Sequence, residues 1–149
     1  MVRKIGKLTG LTMAGVAGSA MLAVPVVSAS APSFTDVDGT SHAEAINALA
    51  KAGIVTGYEN KTFGTWNEIS RQHVAVILYR ALHLEAPDNV GKTLEKYSDV
   101  DEKHPYAKQI AAVTKAGIFK GTNGKFYPDK PITREQAASV IVLAAFGKV

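Results

Sequence analysis

The chain has 149 residues, with 17 Lys and Arg against 13 Asp and Glu and a formal net charge of +4. Cysteine is absent, which excludes a disulfide scaffold and thiolate metal ligation. Three of the basic residues, Arg3, Lys4 and Lys7, crowd the start, so the remainder is close to neutral and offers no basic surface for nucleic acid.

Residues 1–29 read as an export signal. The positive start is followed by an apolar, Gly- and Ala-rich stretch from Leu8 to Val27. Val27-Ser28-Ala29 then offers the small residues a signal peptidase needs, with Ala29-Ser30-Ala31 as a second cleavage candidate. The stretch is long enough to span a bilayer, but its Gly, Ser and Thr content and its small-residue exit favour cleavage. An exported chain without disulfides relies on its apolar core, which suits the surface of a Gram-positive cell.

The first copy of a repeated unit occupies 34–83. It opens on Phe34-Thr35-Asp36-Val37, and its first predicted helix gathers Ile46, Leu49, Ala50 and Gly53 on one face. Gly53 stands where a C-terminal cap belongs, with Ile54 folding back on the helix. Gly57 to Phe63 is a turn-rich loop in which a short strand on either side is an option. A second helix follows Ser70, a cap whose box is incomplete because His73 stands at its third position. Val74, Ile77, Leu78, Ala81 and Leu82 recur with helical spacing and read as core.

Residues 84–96 connect the copies. With Pro87-Asp88-Asn89 and Gly91 they read as turn and linker, long enough to pack as a short helix around Leu94.

The second copy occupies 97–147 and repeats the first piece by piece. Tyr97-Ser98-Asp99-Val100 answers the opening. Ala116-Gly117-Ile118-Phe119-Lys120-Gly121 answers Ala52-Gly53-Ile54-Val55-Thr56-Gly57. Phe126 answers Phe63, and Ile132-Thr133-Arg134-Glu135 answers Ile69-Ser70-Arg71-Gln72. The offset is 63 residues at both ends and 64 in the middle. Pro105 suits the start of the first helix, Ile110, Val113 and Thr114 form its face, and Thr133 with Gln136 has the form of a complete capping box. Ala137, Val140, Ile141 and Ala144 make the second apolar stripe. A repeat of this length marks a unit that buries its apolar face against a neighbour.

Six pieces in fixed order, twice, resemble the S-layer homology (SLH) domain over Phe34 to about Phe146, which makes the fold class mainly α: tandem helix-loop-helix repeats forming part of a three-prong spindle. The resemblance implies non-covalent anchoring to the bacterial cell wall through secondary cell-wall polysaccharide, often bearing a ketal-linked pyruvate; the residues themselves show no nucleophile elbow, phosphate loop or zinc motif, so no enzymatic activity is expected. Its groove-forming Arg matches Arg71 and Arg134, its cap Ser70 and Thr133, its Asp-Val piece Asp36 and Asp99, and its loop glycines Gly57 and Gly121. The chain departs from the family where the usual Glu after Arg-Ala is His73 and Gln136, where the usual Trp is His42 and Tyr106, and where the Pro after the loop Phe is lost in the first copy. A third repeat, usual in the family, is absent. The expectation is therefore self-association, weaker binding, or a piece of a longer protein, with self-association favoured because open repeat edges leave apolar surface unpaired.

The chemistry fits that reading. A guanidinium offers paired donors to a carboxylate, and a helix start adds free N–H groups, so Arg71 and Arg134 are candidate anion sites. Among aromatics that could face a sugar, Trp66 leads, ahead of Tyr58, Tyr106 and Tyr127, although packing at a loop edge is the plainer role for each. Asp36-Val37-Asp38-Gly39 lacks the further ligands of a calcium loop, the four His show no metal spacing, and no cofactor is implied. Glu44, Glu68 and Glu135 do not recur at matched positions as catalytic carboxylates would. The alternative class is a surface-layer assembly module that binds protein and not glycan.

Overall fold

The computed structural model describes residues 33–147; the leader read at 1–29 lies outside them. The described residues are helical, with no strand among them, so the fold is mainly α. The loop strands left open by the sequence reduce to two isolated bridges, Ser70 with Pro131 and Thr122 with Lys125.

Five helices follow in order: α1 Ala43–Lys51, α2 Arg71–Ala81, α3 Val90–Leu94, α4 Ala107–Lys115 and α5 Arg134–Phe146. α1 and α4 end alike. Gly53 and Gly117 take left-handed φ values of 71° and 74°. Ile54 N then donates back to Leu49 O at 2.9 Å, and Ile118 N to Val113 O at 3.1 Å. The starts of α2 and α5 differ. Thr133 Oγ1 accepts from Gln136 N at 3.2 Å and the Gln136 side chain accepts from Thr133 N, a closed capping box. Ser70 makes no such cap, and its Oγ lies 3.1 Å from His73 Nδ1. The connector carries α3, capped by Asn89 Oδ1 accepting from Lys92 N at 2.8 Å, with Leu94 fully buried.

α2 crosses from the first copy onto the second, packing against α4, as does α3. The main core joins Ala75 of α2 to Leu94, Tyr97, Ile110, Val113, Phe119 and Phe126. A smaller core under α1 holds Phe34, Val37, Ile46, Ala50 and Val55. Not every predicted stripe residue is core. Leu49, Ala81 and Leu82 are exposed, and on α5 only Val140 is buried while Ile141 is 64% and Phe146 78% exposed. The helical period groups Leu49, Ala81, Leu82 and Ile141 with their stripes, of which Phe146 is not part, but burial needs a neighbour across that face, and α5 has none comparable to α4 beneath α2.

No helix among the described residues is long and apolar enough to cross a membrane.

Candidate functional site

The two arginines that match in sequence occupy opposite environments. Arg71, at the head of α2, is 5% exposed and reaches into the second copy. Its Nε donates to Phe126 O at 2.8 Å, its Nη2 to Lys120 O at 3.0 Å and its Nη1 to Gln136 Oε1 at 3.0 Å. The guanidinium lies 4.5 Å from the Phe119 ring centre and 5.1 Å from that of Phe126, a double cation–π contact. The free N–H groups of this helix start are also taken: Arg71 N donates to Lys130 O and Gln72 N to Pro128 O, both at 2.9 Å. Burial, the largest cause, holds the guanidinium below its ordinary pKa against smaller opposing effects of the neighbouring Tyr97 and Asp99. Three of its five N–H groups thus bind protein acceptors, and its placement ties one repeat to the next.

Arg134 is exposed at the head of α5, and among the described residues its side chain makes no hydrogen bond. Thr133 is exposed beside it and is engaged in the capping box.

Asp36 and Asp99 hold the loops. The Asp36 carboxylate accepts from Phe63 N at 2.7 Å, Gly64 N at 2.8 Å and Thr65 N at 3.1 Å. Asp99 accepts from Phe126 N and Tyr127 N, each at 2.8 Å. The hydrogen bond from Phe63 N leads the causes that hold the Asp36 carboxyl below its usual range, against a smaller opposing effect of burial. Gly57 and Gly121 let an aromatic ring lie on the loop backbone. A Cβ on Gly57 would run into the Phe34 ring and Thr62 O, and one on Gly121 into the Tyr97 ring and Lys125 O. Through these contacts the loops present carbonyls such as Phe126 O at fixed positions.

The first copy carries an open groove of about 390 Å³ between its loop, α2 and the start of α4. Val55, Thr56 and Phe63 line it from the first repeat's loop, His73 and Arg80 from α2, and Tyr58 and Tyr106 from the two copies. Arg80 Nη1 donates to Ile54 O at 3.3 Å, which leaves most of its N–H groups unengaged there. The rings of His73 and Tyr106 meet edge-on at 5.5 Å. Glu68 adds one carboxylate. Of the aromatic candidates, the groove brings together Tyr58 and Tyr106. Trp66 stands in the adjoining loop, 88% exposed, and Tyr127 packs elsewhere beneath the Lys130 ammonium at 4.5 Å. Sequence reasoning missed Arg80. Its repeat mate is Leu143, so repeat matching passes over it; the usable signal was the helical face His73, Val76, Ile77, Arg80.

Among the described residues no three His, Asp or Glu side chains converge as metal ligands.

Comparison with known proteins adds a family. The model of the S-layer homology domain matches residues 33–75 and 96–138. The chain is 38% identical over 138 residues to S-layer protein EA1 of Bacillus anthracis, covering 89% of this chain and 15% of that protein. It is 36% identical over 121 residues to the surface-layer 125 kDa protein of Lysinibacillus sphaericus, covering 80% and 10%. It is 37% identical over 113 residues to an endoglucanase of Bacillus sp. (strain KSM-635), covering 74% and 11%. The chain therefore spans only 10% to 15% of the length of these relatives.

Proposed function

The chain belongs to the S-layer homology domain family, and from that premise we propose that it anchors to the bacterial cell wall by binding secondary cell-wall polysaccharide in the groove of its first repeat. It acts at the cell surface as a binding module without catalytic activity. Two surface-layer proteins and an endoglucanase carry a related segment that makes up a small fraction of each. A segment common to lattice proteins and a hydrolase is best read as the part that attaches them, not the part that distinguishes them. The leader at 1–29 supports export, and the relatives support a Gram-positive surface.

The observation that carries this reading is the groove itself, which Arg80, with N–H groups to spare, lines together with Tyr58 and Tyr106. Sugars are bound by aromatic faces and directed polar groups, and an acidic substituent such as a pyruvate ketal is matched by a guanidinium. Arg80 would meet the carboxylate, with His73 beside it. Tyr58 and Tyr106 would face sugar rings, and Trp66 would extend the contact at the mouth. Arg134 offers an exposed guanidinium at a helix start. In this reading Arg71, Asp36, Asp99, Gly57, Gly121, Ser70 and Thr133 are positioning residues, and the two repeats are two prongs of a spindle.

Sedimentation with purified walls tests it. Retention on native walls and release from walls stripped of polysaccharide is the expected result. Equal retention on both would move the partner to peptidoglycan or protein, and turnover of wall glycan would make the protein an enzyme.

A further inference from the structure

The surface by which one repeat docks on the next occurs twice in this chain, and each half of the contact has a second version, exposed on the inserting side and, apart from the buried Val55, open on the receiving side. The inserting half is one face of α2, where Arg71 and Ala75 are buried and Leu78 packs on the main core. Their counterparts on α5, Arg134, Ala138 and Ile141, are exposed. The receiving half in the second repeat is the Phe119 ring, the carbonyls of Lys120 and Phe126, and Gln136. The counterparts in the first repeat, Val55, Thr56, Phe63 and His73, line the open groove. The receiving helices agree. α4 buries Ile110, Ala111, Ala112 and Val113, whereas of the equivalent Ile46, Asn47, Ala48 and Leu49 on α1 only Ile46 is buried.

We propose that a second copy of this chain sets its α5 face, led by Arg134, into the groove and along α1 of the first repeat, reproducing between molecules the contact that joins repeats within one. Thr56 O and Phe63 O would accept from the guanidinium as Lys120 O and Phe126 O do for Arg71. Among the described residues neither carbonyl accepts another hydrogen bond. His73 replaces Gln136 as the side-chain acceptor, using a ring nitrogen. Val55 replaces Phe119, so the ring contact is reduced. Arg80 brings a like charge to the groove, held at Ile54 O, and Glu68 brings an opposite one. A second copy is the favoured occupant because this chain carries both halves of a contact whose geometry it already displays internally. The contact joins unlike surfaces, so mass grows beyond the dimer unless a ring closes. The incoming Arg134 would form one wall of the groove proposed to hold polysaccharide. The inference thus deepens that reading, but its test contains no wall or glycan, so the two fail separately.

Sedimentation velocity of the purified protein from micromolar to millimolar concentration is the test. Wild type should associate in a concentration-dependent way. Arg134→Ala removes the inserting guanidinium, Ile141→Asp charges its face, and Thr56→Trp fills the receiving groove. Each should weaken association by about tenfold or more with the melting temperature kept. A mixture of Arg134→Ala and Thr56→Trp should recover pairs, because one retains a groove and the other an insert. A wild type that stays monomeric throughout would overturn the proposal, and so would Arg134→Ala and Thr56→Trp proteins that associate as tightly as wild type.

Discussion

Arg71 and Gln136 meet through a single oxygen. Gln136 Oε1 accepts from Arg71 Nη1 at 3.0 Å and, at 3.4 Å, from the backbone N–H of Thr133. The cap that starts α5 is thereby fastened to the head of α2, a helix of the preceding repeat. The start of one repeat's second helix and the seat offered to its neighbour are built from the same residues.

Arg71 and Arg134 should therefore respond oppositely to truncation. Arg71→Ala strips partners from the carbonyls of Phe126 and Lys120 and from Gln136, and removes the cation packed against the Phe119 and Phe126 rings. A loss of about 3 kcal/mol in unfolding free energy is expected. Arg71→Lys should rescue little of it, because an ammonium cannot reach three divergent acceptors in one plane. Arg134→Ala, at an exposed position, should change stability by less than about 0.5 kcal/mol. Urea denaturation of the three variants reads the contrast.

The two helix caps make a similar pair. Thr133→Ala removes the side-chain acceptor of a closed capping box and should cost about 1 kcal/mol. Ser70→Ala should cost less, because the Ser70 hydroxyl accepts from no backbone N–H and meets only His73. Thermal melts of both proteins decide it.

Much of the architecture was legible in the chain. The offset of 63 or 64 residues located both repeats, Gly53 and Gly117 marked two helix ends, and the Thr133 to Gln136 spacing marked the one complete cap. The differing fates of Arg71 and Arg134 were not legible, because local sequence is alike at both and burial depends on what lies across the helix. The exposed α5 stripe escaped for the same reason. Arg80 escaped because it has no like partner in the second copy, and reading by repeats weights what recurs.

The loop glycines should resist even a methyl group. Gly121→Ala would press a Cβ into the Tyr97 ring and Lys125 O, and a loss of about 1–3 kcal/mol is expected. Gly57→Ala should lose at least as much, since its φ of 65° adds left-handed strain to the clash with the Phe34 ring. Alanine at Gly39, where nothing would meet the Cβ, provides a control for the φ contribution alone, because Gly39 also has φ of 79°.

Acid should act through Asp36. Its carboxyl is held below the usual range in the folded chain, chiefly by the hydrogen bond from Phe63 N, so the unfolded chain binds the proton first as pH falls. The stabilisation is fully present above the ordinary carboxylate range, about pH 4, and is lost as pH drops through the lowered folded value. Asp36→Asn should be less stable than wild type at neutral pH, and the gap should close in acid. Melting temperatures across that range check the sign.

Titration with secondary cell-wall polysaccharide released from purified walls tests the central claim most directly, read by calorimetry and by the fluorescence of the sole tryptophan, Trp66, on the loop beside the groove. Saturable binding is predicted for wild type, weakened by about tenfold or more in Arg80→Gln with the fold intact. No binding, or binding that Arg80→Gln leaves unchanged, would contradict the groove as the site where this chain holds the wall.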